Sequence, residues 1–246
     1  MDRRLSRQEL KDLIYRRRYL VPNAVTVGNM FCGFLAIIYA STERFDKAVI
    51  AVLVAVLLDG LDGRVARRLN ATSKFGIEFD SFSDLVSFGI APAILTYYWA
   101  FHLLAGDLGV VFTFFYTLCA ASRLARFNIA DENLKSFMGL PTPGAAVFVV
   151  ACVNSYPYPM SSYLFIGIAI ALMSCIGYLM VSTIEFYSIK QFKFSGVKLR
   201  WRLALGLLLA LAWYNNAIGL LLISGLYVMS GPFRRIKSLR SQTQSA

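Results

Sequence analysis

Apolar stretches of roughly the length needed to cross a bilayer follow one another along almost the whole chain and leave few folds open to it. They lie near 24–41, 46–69, 77–101, 107–127, 141–157, 162–184, 199–213 and 215–231. A backbone in the hydrocarbon core must satisfy its own hydrogen bonds, which a helix does within one segment. Soluble domains carry about a quarter charged residues; this chain has 16%, against 57% hydrophobic. The expectation is an all-α fold: a polytopic membrane helical bundle of about eight transmembrane helices, forming one integral membrane domain over 1–246. Local signals punctuate it. Pro22 and Asn23 introduce the first span, with Asn23 as N-cap. Pro141 and Pro143 sit in the opening turn of the fifth, where proline is tolerated. Tyr156-Pro157-Tyr158-Pro159 separates the fifth and sixth, and Asn215–Asn216 mark the turn before the last.

The basic residues orient the bundle. Segments 1–22, 64–75, 122–136, 187–202 and 232–246 hold seven, four, three, five and four Lys or Arg, leaving only Arg44 and Lys47 of the 25 elsewhere. Cytoplasmic loops collect Lys and Arg, so the expected topology puts both termini on the cytoplasmic side of a prokaryotic inner membrane. Residues 1–20 hold Arg3, Arg4, Arg7, Lys11 and Arg16–Arg18, and no A-x-A-like cleavage site follows them. They are expected to form an amphipathic interfacial helix whose basic groups rest on anionic headgroups. Residues 232–246 are expected to be a cytoplasmic tail. Net charge +11 finds its explanation in topology; no basic patch or motif points to nucleic acid. Cys32, Cys119, Cys152 and Cys175 stand singly, without zinc or redox spacing, and read as small core hydrophobes.

Against this background four aspartates are out of place. Residues 59–84 read D-G-L-D-G-R-V-A-R-R-L-N-A-T-S-K-F-G-I-E-F-D-S-F-S-D. Acidic side chains at mid-bilayer each cost about 2.5–3.5 kcal/mol on insertion scales and mark function by default. Asp59 and Asp62 are three apart and Asp80 and Asp84 four apart, so each pair shares a helix face. Asp62 and Asp84 each lie eight residues from the connecting loop, about 12 Å along a helix. The four carboxylates can therefore converge just inside the cytoplasmic leaflet. Four carboxylates cannot all stay ionised at one place without compensating charge. Hard oxygen ligands with no His or Cys nearby suit Mg²⁺, Mn²⁺ or Ca²⁺, and metals there would attract phosphate oxygens. Arg64, Arg67, Arg68 and Lys74 add charge for an anionic ligand. Gly63, Ala66 and Gly76 remove bulk, letting a ring or phosphate approach the backbone; close helix packing is their plainer explanation.

This string resembles, at all eight fixed positions, the CDP-alcohol phosphotransferase signature D-x-x-D-G-x-x-A-R-x8-G-x3-D-x3-D. The resemblance implies a six-helix core that binds a CDP-activated lipid at two divalent cations, usually Mg²⁺ or Mn²⁺, and a homodimer. It implies Asp59, Asp62, Asp80 and Asp84 as metal ligands, with Asp84 also the base for the acceptor alcohol. Asn23, Thr26, Asp62, Gly63, Ala66, Arg67 and Gly76 would form the CDP-lipid site. The segments from Pro22-Asn23 to Gly33, Ser122 to Asn128, Phe137 to Pro143 and Leu179 to Thr183, with Lys190, are similar to the serine-accepting branch of the family. Together these imply a catalytic core over 21–195 with an additional helical hairpin over 196–231. They also imply transfer of the phosphatidyl group of CDP-diacylglycerol to the hydroxyl of L-serine.

Serine brings a carboxylate and an ammonium, so its site needs a fixed cation and acceptors. Arg123 and Arg126, with Asn128 beside them, are candidates, the alternative being that the arginines are positive-inside anchors. Lys135 reads as a loop charge, His102 as an external headgroup-level residue, Glu78 as supporting or capping, and Glu185 as a partner for a loop base. Rival readings keep the aspartates and change the acceptor to glycerol 3-phosphate or an inositol phosphate, or the donor to CDP-archaeol. A cation channel or transporter has no need of the glycines and Ala66–Arg67 at these spacings.

Overall fold

The computed structural model describes residues 7–69, 71–104, 107–129, 139–184, 186 and 216–243, with side chains described from residue 20 in the first helix and over 217–235 in the last. Every regular element among them is helical. They are α1 (Arg7–Ser41), α2 (Phe45–Arg68), a third run made of α3 (Lys74–Asp84), a π-helical turn (Leu85–Ile90), α4 (Ala91–Thr96) and a second π turn (Tyr97–Phe101), then α5 (Leu108–Ile129), α6 (Thr142–Ser155), α7 (Tyr163–Val181) and α8 (Asn216–Thr243). Among the described residues four segments, Leu20–Ser41, Leu108–Ile129, Tyr163–Val181 and Ala217–Arg235, are long and apolar enough to cross a membrane. The protein is an integral membrane helical bundle. The expected span near 199–213, Lys135, Glu185 and Lys190 lie outside the described residues.

Two expectations about α1 give way. The helix does not restart behind Pro22; it runs through that residue from Arg7 to Ser41, and Asn23 is interior rather than an N-cap. Proline removes one N–H donor, and in a bundle neighbouring helices and Ser/Thr hydroxyls can re-satisfy what it frees. Thr26 Oγ1 lies 3.2 Å from the Pro22 carbonyl. The last helix is likewise longer than expected and contains Pro232.

Packing is inverted relative to a soluble protein. The buried face of α1 carries Gly33, Ala36 and Ala40, while Phe31, Phe34 and Ile38 are exposed. α2 answers with Ala48, Ala51, Val52 and Ala55, all buried, and exposes Ile50, Val54 and Leu57. Hydrocarbon does not drive apolar side chains together, so close backbone approach through small residues holds such helices. One such close approach is between α1 and the first π turn. A Cβ on Gly33 would meet the Ser87 Cα at 2.7 Å.

The π turn has a local cause. Pro92 cannot donate to the Phe88 carbonyl four residues back and its ring crowds that carbonyl, so the helix widens there. The Tyr116 hydroxyl of α5, fully buried, donates to the Phe88 oxygen at 3.3 Å.

Paired contacts set the helix directions. Thr26 meets Asp62 and Gly28 meets Leu58, so α2 runs against α1. Asn23 meets Gly76 and Asn29 meets Asp84, so the third run is parallel to α1. α5 opposes the third run, with Ser81 on Asn128 and Phe88 on Tyr116. α7 runs with α5, since Cys119 meets Gly177 and Arg126 meets Val181. α8 opposes α6, with Tyr227 on Gly144 and Gly225 on Phe148.

Candidate active site

α2 ends and α3 begins at the face where the acidic residues gather. Ser73, extended at φ −134 and ψ 152, is the N-cap of α3 and its side chain accepts from the Gly76 N–H at 3.0 Å. That cap starts the third run at Lys74, nearly two turns before Asp80. The Ala71 N–H returns to the Ala66 carbonyl at 2.9 Å, closing the last turn of α2.

The arrangement brings Asp59, Asp62 and Asp80 together, each offering a carboxylate oxygen within 4.8 Å of the others. Asp84 lies beside Asp59, and Asp80 beside Asp62. Asp62 is buried, and Thr26 Oγ1 donates to its Oδ2 at 3.0 Å. The hydroxyl has one proton, so this bond competes with the one to Pro22. Asp80 Oδ1 is buried with no hydrogen-bond partner. A buried carboxylate oxygen without a donor is costly, and a bound cation would offset that cost. The donor set is all oxygen, so the residues fit a hard divalent ion.

One face of α1 supports this cluster turn by turn. Asn23 Oδ1 lies where a side chain on Gly76 would come within 3.4 Å, so Gly76 lets α3 press against it. Ser83 Oγ donates to the Thr26 carbonyl at 3.1 Å and Ser87 Oγ to the Asn29 carbonyl at 3.0 Å. Asn29, fully buried, donates from Nδ2 to Asp84 Oδ1 at 3.5 Å. On α2, Gly63 leaves room for the Arg67 guanidinium, whose Nη1 would be 3.4 Å from a Cβ at that position. Thr26, Gly63 and Arg67 thus border Asp62, Asn23 and Gly76 meet beside them, and the half-buried Ala66 lies on the same last turns of α2.

The three residues expected around serine separate. Arg123 donates from Nη1 to Thr142 Oγ1 at 3.2 Å, its Nε is buried without a partner, and its charge interacts with Asp84. Arg126 instead donates to the Val181 carbonyl at 2.8 Å, closing the end of α7. Asn128 is exposed and bonds Ser81 Oγ at 3.0 Å and Glu78 Oε2 at 3.3 Å, tying α5 to α3. Thr142 is held in place by the turn before it. Gly139 has φ +83, a conformation that suits glycine, and its N–H donates to the Ile184 carbonyl at 2.9 Å while Leu140 donates to Leu179 at 3.0 Å. Ser73, Ser83, Ser87, Thr142 and Asn29 were assigned no role from sequence. Only Ser73 had a local signal, a good N-cap residue three positions before Gly76.

Comparison with known proteins places these residues in a family. The family described as CDP-alcohol phosphatidyltransferase matches residues 19–181. A Helicobacter pylori protein (strain J99) named CDP-diacylglycerol–serine O-phosphatidyltransferase is 40% identical over 229 residues, covering 89% of this chain and 92% of that protein. A Bacillus subtilis protein of the same name is 37% identical over 172 residues, 70% of this chain and 92% of its own. An archaetidylserine synthase of Methanothermobacter thermautotrophicus is 38% identical over 173 residues, 68% of this chain and 69% of its own.

Proposed function

The chain belongs to the CDP-alcohol phosphatidyltransferase family, and from that premise we propose that it joins the phosphatidyl group of CDP-diacylglycerol to L-serine, giving phosphatidylserine and CMP. It is a transferase of phospholipid synthesis. The observation that carries the reading is the convergence of Asp59, Asp62 and Asp80 beside Asp84, with a buried Asp80 oxygen left open. The names of the relatives supply donor and acceptor.

Two divalent cations, Mg²⁺ or Mn²⁺, held by Asp59, Asp62, Asp80 and Asp84, would neutralise the pyrophosphate and make its phosphorus more electrophilic. The protein's own groups do the rest. Asn23, Thr26, Gly63, Ala66, Arg67 and Gly76 border the CDP moiety, the small residues giving access to backbone. Asp84 takes the proton of the serine hydroxyl, whose oxygen bonds the phosphorus attached to diacylglycerol. The phosphoanhydride bond breaks and its electron pair leaves with CMP, whose charge Arg67 meets. Fixed geometry and charge account for most of the acceleration. Of the candidates for the serine carboxylate, Arg123 is favoured by its open Nε and its proximity to Asp84. Arg126 and Asn128 act from further out, through the end of α7 and the α3–α5 contact.

The reading includes eight spans, with α2 and the third run crossing beside α1 and turning their carboxylates inward. α7 and α8 run in the same direction, as that count requires with both termini on one side. The Lys and Arg distribution supports the cytoplasmic side of a prokaryotic inner membrane for the site and both ends, with the first turns of α1 among headgroups. A homodimer also belongs to the reading, and light scattering in detergent tests it.

An acceptor panel with purified protein decides the substrate. CMP release from CDP-diacylglycerol is expected with L-serine and at least tenfold less with glycerol 3-phosphate or inositol phosphate; preference for either phosphate overturns the assignment. The archaetidylserine synthase relative favours a second donor, so CDP-archaeol is offered in parallel. Faster transfer from it makes the product archaetidylserine.

A further inference from the structure

Two buried polar atoms of opposite hydrogen-bonding sense stand unpaired beside Asp84. One is the acceptor Asn29 Oδ1 and the other the donor Arg123 Nε. They come from different helices, α1 and α5, and each side chain already engages the site through its other end. Asn29 Nδ2 donates to Asp84 Oδ1 at 3.5 Å. Arg123 Nη1 is anchored on Thr142 Oγ1 at 3.2 Å, and the carboxylate of Asp84 acts electrostatically on its guanidinium. Asn29 has no exposed surface. A buried amide oxygen without a donor is destabilising, and native structures rarely keep one without reason.

Resting on serine as acceptor, we propose that Asn29 is the residue that reads the ammonium of the amino-acid substrate, and that with Arg123 it recognises the acceptor as a zwitterion. The covalent structure of serine supports this. Its hydroxyl and its ammonium sit on adjacent carbons, so when the hydroxyl meets Asp84 the ammonium arrives beside whatever group already touches Asp84. That group is the Asn29 amide, whose Nδ2 holds the carboxylate while Oδ1 accepts from the ammonium. An ammonium is all donor and an amide oxygen all acceptor. The carboxylate, on the same carbon as the ammonium, reaches the guanidinium, whose remaining donors suit it. The Asn29 carbonyl is fixed by Ser87 Oγ at 3.0 Å, and Gly33 keeps the π turn pressed against α1, so the amide stands on a rigid support.

The test is a comparison of three acceptors: L-serine, 3-hydroxypropionate, which lacks the ammonium, and ethanolamine, which lacks the carboxylate. It uses the purified full chain with CDP-diacylglycerol and Mn²⁺, and the wild-type, Asn29→Leu, Asn29→Ser and Arg123→Lys proteins. The wild type, also offered glycerol 3-phosphate as a control, decides the underlying reading, which fails if glycerol 3-phosphate is used and serine is not. Given serine transfer, Asn29→Leu is expected to raise the serine KM about tenfold or more, leaving the CDP-diacylglycerol KM within twofold. Its preference for serine over 3-hydroxypropionate should fall by a similar factor, with the preference over ethanolamine held. Asn29→Ser, which keeps a small acceptor, should recover part of both and guards against misfolding of the leucine variant. Arg123→Lys should show the reverse selectivity change, losing discrimination against ethanolamine. Loss of kcat with all acceptors in equal proportion, and no change in selectivity, overturns the proposal and leaves Asn29 as a support for Asp84 alone.

Discussion

Asp84 is approached from three other helices: by Asp59 on α2, Asn29 on α1 and Arg123 on α5. A base needs such fixing, because proton transfer depends on placement as well as basicity. Asp84→Asn keeps the volume and removes the base. It is expected to reduce kcat by about 10²–10⁴, and near-normal turnover in a stopped assay of CMP release would contradict the assignment. Thr26 tests a different link. Its hydroxyl orients Asp62 from α1, so Thr26→Val should raise the divalent-cation concentration for half-maximal activity about 10–100-fold, with kcat at saturating metal less affected. An unchanged metal requirement would mean that the hydroxyl serves only the Pro22 carbonyl. The aspartates could be read from sequence because their spacing of three and four is a property of one helix. The supports could not. Thr26 and Ser83, or Asn29 and Ser87, are joined by helices packing some 57 and 58 residues apart in the chain, and no local pattern announces such a pair.

Helices position those residues through small side chains and one interrupted turn. Gly33 is the closest approach of α1 to the third run, so Gly33→Val must push apart the elements that carry Asn29 and Asp84. Overpacking of this kind typically destabilises by about 1–3 kcal/mol. A lower melting temperature in detergent, with serine turnover lost at temperatures where the variant is folded, is the expected result; a wild-type melting curve would show the contact to be dispensable. Gly139 has a second role of this kind, since its left-handed backbone seats the turn that delivers Thr142 to Arg123. The sequence marked that turn only as a resemblance, and composition gave no reason for a positive φ there. The third run was expected as one plain helix over 77–101. Pro92 in its middle was the available sign that it would widen, but the hydroxyl that meets the Phe88 carbonyl belongs to Tyr116, on another helix. Pro22 had the opposite outcome. It looked like a helix boundary, yet the bundle carries α1 straight through it.

Across the whole molecule, bilayer-length apolar stretches were enough to anticipate a membrane protein whose described elements are all helical, because the membrane constrains every segment in the same way. The cluster lies toward the end of the bundle where α2 stops and α3 starts, with Asp62 buried and the others half-buried; small residues on α1 and α2 bring the two helices close until the carboxylates take over after Ala55. Like charges gathered there require compensation, and the unpaired Asp80 oxygen marks where the protein does not supply it. The central claim is that these carboxylates hold divalent cations for phosphatidyl transfer to serine. Its most direct test is CMP release from CDP-diacylglycerol and L-serine by the purified protein, first in excess chelator and then across a titration with Mg²⁺ or Mn²⁺. The expected result is no serine-dependent CMP release in chelator and full recovery on adding metal. Transfer to serine that continues undiminished in excess chelator would contradict the account.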